Sequence, residues 1–291
     1  MVFIKFSIVV GVLYLRKSEL DLGFMKRNER LKNEVHRFWN AQSCGTQFTD
    51  KRKYTKEFFD EIEKDRYAKE PEILEFAEFK SGKGKKVLEV GVGAATDFMN
   101  WAKYGAELYG IDLTIEAVDH AKHRLELYGL KAKCIQVADA EDLPFESDFF
   151  DIVYSWGVIH HSPDTPKALK EIIRVLKPSG KAKLMVYNRK SILAYVFWIK
   201  HAILKFKWGQ SVSDILWNKM ESYGTKGYTI EEVKDLLKDE ELNSVQVKTV
   251  ITYYDKLKRF NKLMQIMAFI ILKFVNKKTT GWFLTIEFTK N

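Results

Sequence analysis

Between Lys86 and Tyr187 the chain alternates strand-like and helix-like segments without interruption, and this restricts the fold more than any other feature. Lys86–Val90 (KVLEV), Glu107–Asp112 (ELYGID), Lys133–Val137, Phe150–Ser155 and Lys181–Tyr187 read as strands. Between them, Phe98, Trp101 and Ala102 recur at helical spacing, as do Ala117, Val118, Ala121 and Leu125. A third helix (KALKEIIRVLK) starts around Pro166 and ends before Pro178–Ser179–Gly180. Such a pattern calls for an α/β fold, a doubly wound Rossmann-like parallel sheet covered by helices on both faces. Right-handed crossovers then gather the C-terminal ends of the strands on one edge, where a ligand sits at the topological switch point. The tail departs from the alternation. Strand-like Ser244–Tyr253, an apolar helix near 259–275 and strand-like Gly281–Thr289 predict an antiparallel pair at the edge of a seven-stranded sheet.

Five segments follow: an apolar extension 1–24, a helical cap 25–85, a core 86–187, a helical lid 188–243 and a tail 244–291 that completes the fold. With 46% hydrophobic and 30% charged residues, the chain is neither disordered nor polytopic in a membrane. Residues 6–15 form an apolar run of ten, too short to span a bilayer and without a small-x-small cleavage site, so anchor and upstream extension both stay open. The core is acidic (−3), whereas residues 1–85 and 188–291 carry +4 and +8. Basic flanks suit an anionic substrate, nucleic acid or a lipid surface, or simply a solvated exterior. Two distant cysteines, Cys44 and Cys134, make neither a disulfide scaffold nor a zinc cage, and no cluster has metal-ligand spacing.

The chemistry concentrates in VLEVGVGAATDF, residues 87–98. Gly91 and Gly93 allow a tight turn in which a ligand meets bare backbone, and the next helix offers free N–H groups. A dinucleotide fingerprint requires a third glycine where Thr96 stands, which weakens a nicotinamide oxidoreductase reading. Asp112 ends the second strand, placed to accept two ribose hydroxyls. Asp139 follows the third, placed to accept from an exocyclic amine.

This ordered set, with FDIVYSWGVIHH (150–161) after it, resembles the class I S-adenosylmethionine-dependent methyltransferases of the type 11 group. Phe38–Trp39–Asn40, Cys44–Gly45–Thr46 and Glu221–Ser222…Gly224–Thr225–Lys226 look like variable parts of that group. The resemblance implies S-adenosyl-L-methionine as cofactor. It puts Glu89, Gly91 and Gly93 at the methionine end, with Thr96 counted in the same set, and Asp112 at the ribose with Leu113 beside the adenine. It puts Asp139 and the Ala140 backbone at the adenine edge, and Ser155 and Trp156 near the sulfonium. Ala95 departs from the family, where many members have glycine.

His160 and His161 follow the fourth strand on the active edge, and either suits a general base. Resemblance to the phosphobase methyltransferases, with their I-L-H turn, favours His160. Trp39, Tyr54, Tyr223 and Tyr228 are candidate pocket aromatics. The apolar stretches 192–208 and 263–275 are expected to pack on the sheet and cleft, with an interfacial contact on a membrane as the alternative. The acceptor is expected to be a small molecule, sugar or lipid-linked compound, methylated on O or N, in a cytoplasmic setting with membrane association open. An RNA methyltransferase is disfavoured because Tyr154–Ser155–Trp156–Gly157 replaces the Asn/Asp-Pro-Pro-aromatic turn, and a non-catalytic binding module because Asp112 and Asp139 are intact. Oligomeric state is not legible.

Overall fold

The computed structural model describes residue 23 and residues 25–291, so the apolar stretch 6–15 lies outside the described residues. Seven strands form one sheet in the order β3-β2-β1-β4-β5-β7-β6. They are β1 (Lys86–Val90), β2 (Glu107–Asp112), β3 (Cys134–Val137), β4 (Phe150–Trp156), β5 (Leu176–Tyr187), β6 (Leu242–Val250) and β7 (Phe283–Lys290). Pairs from β3 through β5 are parallel, while β7 lies antiparallel to both β5 and β6. The antiparallel edge pair is therefore present, with β7 as the one strand opposed to the other six. The switch point falls between β1 and β4, where the chain, having wound outward through β2 and β3, returns to start the other half.

The pleat sends alternate side chains to opposite faces. Val87, Ile152, Tyr154, Trp156, Met185 and Tyr187 enter one apolar cluster. Leu88, Val90, Val153, Leu184 and Val186 enter the other. The first cluster is covered by α4 (Thr96–Lys103) and α5 (Ile115–Leu127), the second by α6 (Thr165–Val175) and α9 (Ile230–Leu237). Local chemistry sets the helix starts. Thr114 caps α5 by accepting from Ala117 N–H, Asp164 caps α6 ahead of Pro166, and Thr229 and Glu232 form a reciprocal capping box on α9. α6 ends at Val175, earlier than the periodicity indicates, because Leu176 already pairs with Phe150.

Ahead of the sheet come α1 (residues 25–41), α2 (Lys56–Lys69) and α3 (Glu72–Ala77). Between β5 and β6, α7 (Ile192–His201) and α8 (Val212–Lys219) precede α9, and α10 (Lys262–Phe274) joins β6 to β7. α10 corrects the expectation that its apolar residues pack inward. Only Ala268 is buried, while Leu263, Ile266, Met267, Phe269, Ile270, Ile271 and Phe274 are exposed.

Candidate active site

A cavity of about 350 Å³ opens at the C-terminal ends of β1, β2 and β4, inside the ~300–1,000 Å³ range of small-molecule sites. Its floor is the turn after β1. Gly91 (φ 84°) and Gly93 (φ 51°) take left-handed backbone, and so does Ala95 (φ 59°), so the departure from glycine leaves the turn intact. Asp112 pins this turn to the next strand. Its Oδ2 accepts from Gly93 N–H (3.1 Å), and its Oδ1 accepts from the Thr114 amide (3.0 Å) and hydroxyl (2.9 Å).

Glu89 is buried on the cavity wall, and its Oε2 has no hydrogen-bond partner among the described residues. Burial, reinforced by Asp97, holds its carboxyl well above the usual range. Asp97 itself is satisfied by Arg66 (2.8 Å), Tyr67 (3.0 Å) and Tyr154 (2.9 Å). A buried carboxylate oxygen left unpartnered beside bare glycine backbone fits a cationic group such as the ammonium of S-adenosylmethionine.

Of the residues the resemblance implies, Glu89, Gly91, Gly93, Thr96, Asp112, Leu113, Asp139, Ala140 and Trp156 line this one cavity. Thr96 and Asp139 are each engaged by a cation from a helix. Thr96 Oγ1 accepts from the buried Arg124 (2.9 Å). Asp139 is paired with Lys32 of α1, which also bridges to Glu141 (2.8 Å), and it accepts from Glu141 N–H (2.9 Å). Ser155 is off the cavity wall. The pleat turns it from the face that carries Trp156, and its hydroxyl donates to Val90 C=O (3.0 Å), tying β4 to β1.

The histidines separate in the same way. His160 is fully buried and off the cavity wall, both ring nitrogens lack partners among the described residues, and its ring packs at a tilt of 39° against Tyr187 (4.0 Å). Burial first, then neighbouring His161 and Lys226, push it well below the ordinary imidazole value. His161 lines the cavity. Its Nδ1 lies 2.9 Å from Ser222 Oγ and 3.1 Å from Thr225 Oγ1, and its Nε2 stands 3.4 Å from Glu221 Oε2. The preference for His160 is thus reversed by position. Of the four candidate aromatics Trp39 alone is on the wall, packed on His161 (5.2 Å). Tyr54 stacks on His123, Tyr223 packs on Trp217, and Tyr228 belongs to the opposite apolar cluster.

The structure adds residues with no strand-end signal. Glu70 accepts from Trp156 Nε1–H (2.9 Å) and Tyr254 O–H (2.9 Å), and Glu221 accepts from Tyr187 O–H (3.0 Å). Burial pushes the Glu70 carboxyl up against the pull of Arg66. Cys44 also lines the wall. It is exposed to the cavity, where desolvation by the surrounding walls, then the Glu221 and Glu70 charges, raise its thiol to about 12 against the opposing effect of Arg66. Metal-ligand spacing is absent from the sequence, yet folding brings His160, His161 and Glu221 together, one ligand atom of each within 4.8 Å.

Residues 88–184 match a family model described as a methyltransferase domain. The chain is 36% identical over 100 residues to uncharacterized methyltransferase YcgJ of Bacillus subtilis, covering 34% of this chain and 40% of that protein. It is 35% identical over 130 residues to the chloroplastic tocopherol O-methyltransferase of Arabidopsis thaliana, covering 42% and 37%. The matched stretches thus span about two fifths of these relatives' own length. Among solved structures, phosphoethanolamine N-methyltransferase 2 of Haemonchus contortus, in complex with phosphomonomethylethanolamine and S-adenosylhomocysteine, shares the fold. The TM-score is 0.52 at 18% identity, covering 76% of this chain and 52% of that one. The sheet order, the strand-end carboxylates converging on one cavity and the matched stretch agree: residues 88–184 form a methyltransferase domain, similar to the class I S-adenosylmethionine-dependent methyltransferases of the type 11 group.

Proposed function

We propose that this protein methylates an oxygen or nitrogen atom of a small-molecule acceptor held in the same cavity as the cofactor. The carrying observation is continuity. The wall that starts at Asp139, Asp112 and Glu89 runs without a partition to His161, Glu221, Tyr187 and Glu70. S-adenosylmethionine, when bound, supplies an electrophilic methyl group on a sulfonium. Glu89 would hold its ammonium, and Asp112 its ribose hydroxyls.

The rest of the reaction falls to alignment and to one proton. Trp156 is fixed by its bond to Glu70, and Tyr187 by its bond to Glu221. His161 Nδ1 lies between the Ser222 and Thr225 hydroxyls, which serve as donor or acceptor according to the ring's tautomer. For His161 to act as a base its proton sits on Nδ1 and is donated to Thr225 Oγ1, whose own hydrogen goes to Ser222 C=O (2.7 Å). Nε2 then keeps its lone pair for the acceptor's proton, and Glu221, 3.4 Å away, faces the charge the ring acquires. The names of the relatives support both acceptor chemistries: a tocopherol is methylated on oxygen and a phosphoethanolamine on nitrogen.

Calorimetric titration with S-adenosylhomocysteine tests the cofactor half. A mass-spectrometric search for +14 Da products across phenolic, amine and lipid extracts tests the acceptor half. His161→Gln is expected to keep homocysteine-adduct affinity within about twofold while turnover falls by roughly 10²–10⁴. Binding of NAD with indifference to S-adenosylhomocysteine overturns the reading, and unaltered turnover removes His161 from it.

A further inference from the structure

We propose that the face carrying α10 docks on an anionic lipid surface, so that the cavity is fed from the membrane. The docking claim stands on the surface alone, whereas the lipid-borne acceptor rests on the methyl-transfer reading above.

α10 touches the body through a narrow stripe, Met264, Ala268 and Leu272 at i, i+4 and i+8. The rest of its circumference is also apolar and faces outward, Leu263 being 66% and Phe274 84% exposed. Contiguous apolar exposure of this kind marks an interaction site. The charge around it chooses the partner. Lys256, Lys258, Arg259 and Lys262 precede the helix axis, Lys273, Lys277 and Lys278 close it, and all seven are exposed. No Asp or Glu occurs from residue 256 to 286. An apolar strip between clusters of cations matches the cross-section of a leaflet, acyl chains beneath anionic headgroups. With 13 residues α10 is too short to span, and no described helix is long and apolar enough to cross a membrane, so it lies in the interfacial plane.

A second patch repeats the pattern. After α7, Leu204, Phe206 and Trp208 are exposed, alternating with Lys205 and Lys207, and Phe206 is held out in left-handed backbone (φ 55°). The segments next to both patches reach the cavity. Leu193 and Phe197 of α7 line its wall, as do Arg259 and Phe260 at the foot of α10. A surface that sinks into headgroups at these two places brings the acceptor side of the cavity to the bilayer, and an apolar acceptor need not cross water.

Vesicle flotation of the full chain tests this. Recovery with phosphatidylglycerol/phosphatidylcholine vesicles is expected to exceed that with phosphatidylcholine alone by about tenfold. Phe269→Gln/Phe274→Gln and, separately, Lys277→Glu/Lys278→Glu should each abolish the excess while S-adenosylhomocysteine affinity is unaltered. Equal recovery with both vesicle types, or full recovery of either variant, overturns the proposal. An environment-sensitive dye on Phe274→Cys (with Cys44→Ala and Cys134→Ser) separates other occupants. A blue shift only on adding anionic vesicles supports docking. A shift already present without lipid overturns it, pointing to a second copy if it grows with protein concentration and to the chain's own N-terminal apolar run if it does not. Loss of S-adenosylhomocysteine binding in the unsubstituted protein sinks the methyl-transfer reading and leaves the docking result standing.

Discussion

Gly91 and Gly93 share a turn and a left-handed backbone, yet alanine at the two positions should fail in different ways. A Cβ on Gly91 would lie 2.2 Å from Val158 Cγ2 and 2.7 Å from its Cγ1. Left-handed backbone costs an L-residue about 1–2 kcal/mol, and forcing a methyl into a filled space costs about 1–3 kcal/mol more. Stiffening of the unfolded chain offsets about 0.4–1 kcal/mol. Gly91→Ala is therefore expected to lose roughly 2–4 kcal/mol of stability. A Cβ on Gly93 meets only Cys44 Cβ, at 3.9 Å across the cavity, so the backbone cost of about 1 kcal/mol is nearly cancelled. That methyl instead projects into the space where ligand meets bare backbone. Urea unfolding of the ligand-free protein, followed by tryptophan fluorescence, should show the midpoint of Gly91→Ala falling by about 1 M at an m-value of ~3 kcal/mol/M, with Gly93→Ala close to the unsubstituted chain. Calorimetry with S-adenosylhomocysteine should show Gly93→Ala weakened by roughly tenfold or more, the scale of an overpacked contact. Equal midpoints for the two variants would refute the packing argument, and unchanged affinity of Gly93→Ala would place the ligand elsewhere.

Other consequences are simpler to measure. Asp112→Asn keeps one acceptor oxygen for the turn but loses the charge, so S-adenosylhomocysteine affinity should fall by about 1–3 kcal/mol in titration; no change removes this carboxylate from the ribose. His160 is neutral when folded and pushed below the unfolded value of 6.5. The unfolded chain therefore binds the extra proton first, and stability is lost as pH falls below about 6.5. His120, also lowered by burial, acts in the same sense, so His160→Leu should remove part of the acid-side slope, up to about 1.4 kcal/mol per pH unit, in urea midpoints between pH 7.5 and 5.5. With its thiol raised to about 12, Cys44 should react with iodoacetamide at pH 7.5 one to three orders of magnitude, roughly, more slowly than a free cysteine, and more slowly still with S-adenosylhomocysteine present. Fast, unprotected alkylation of Cys44 in peptide mapping would contradict its place on the cavity wall.

What could be read from the chain follows the range of the forces involved. Glu89, Gly91, Gly93, Asp112 and Asp139 are legible because strand ends in a parallel sheet share an edge whatever surrounds them, and alternation alone locates those ends. Ser155 and His160 sit one residue from positions that do face the cavity, Trp156 and His161, and a turn of the pleat or loop decides between neighbours. Spacing cannot resolve that choice where both neighbours are of plausible type. Lys32 and Arg124 carry no strand-end signal either. Each is a cation brought in from a helix to a site whose carboxylate or hydroxyl was the visible half of the pair.

The acceptor end is hidden for a further reason. Glu70 follows α2, Glu221 follows α8, and Tyr254 follows β6, three segments joined by no local pattern. Glu70 is half-buried and Glu221 exposed, and each accepts from phenol or indole donors. The two carboxylates share their pocket with Trp156, Trp282 and Phe283. Aromatic faces beside carboxylates favour a group that carries partial or full positive charge, as a nucleophile does on accepting a methyl cation. The strand-end part of the cavity is thus set by topology, whereas Glu70, Glu221 and Tyr254 come from parts of the chain that lie outside the matched domain.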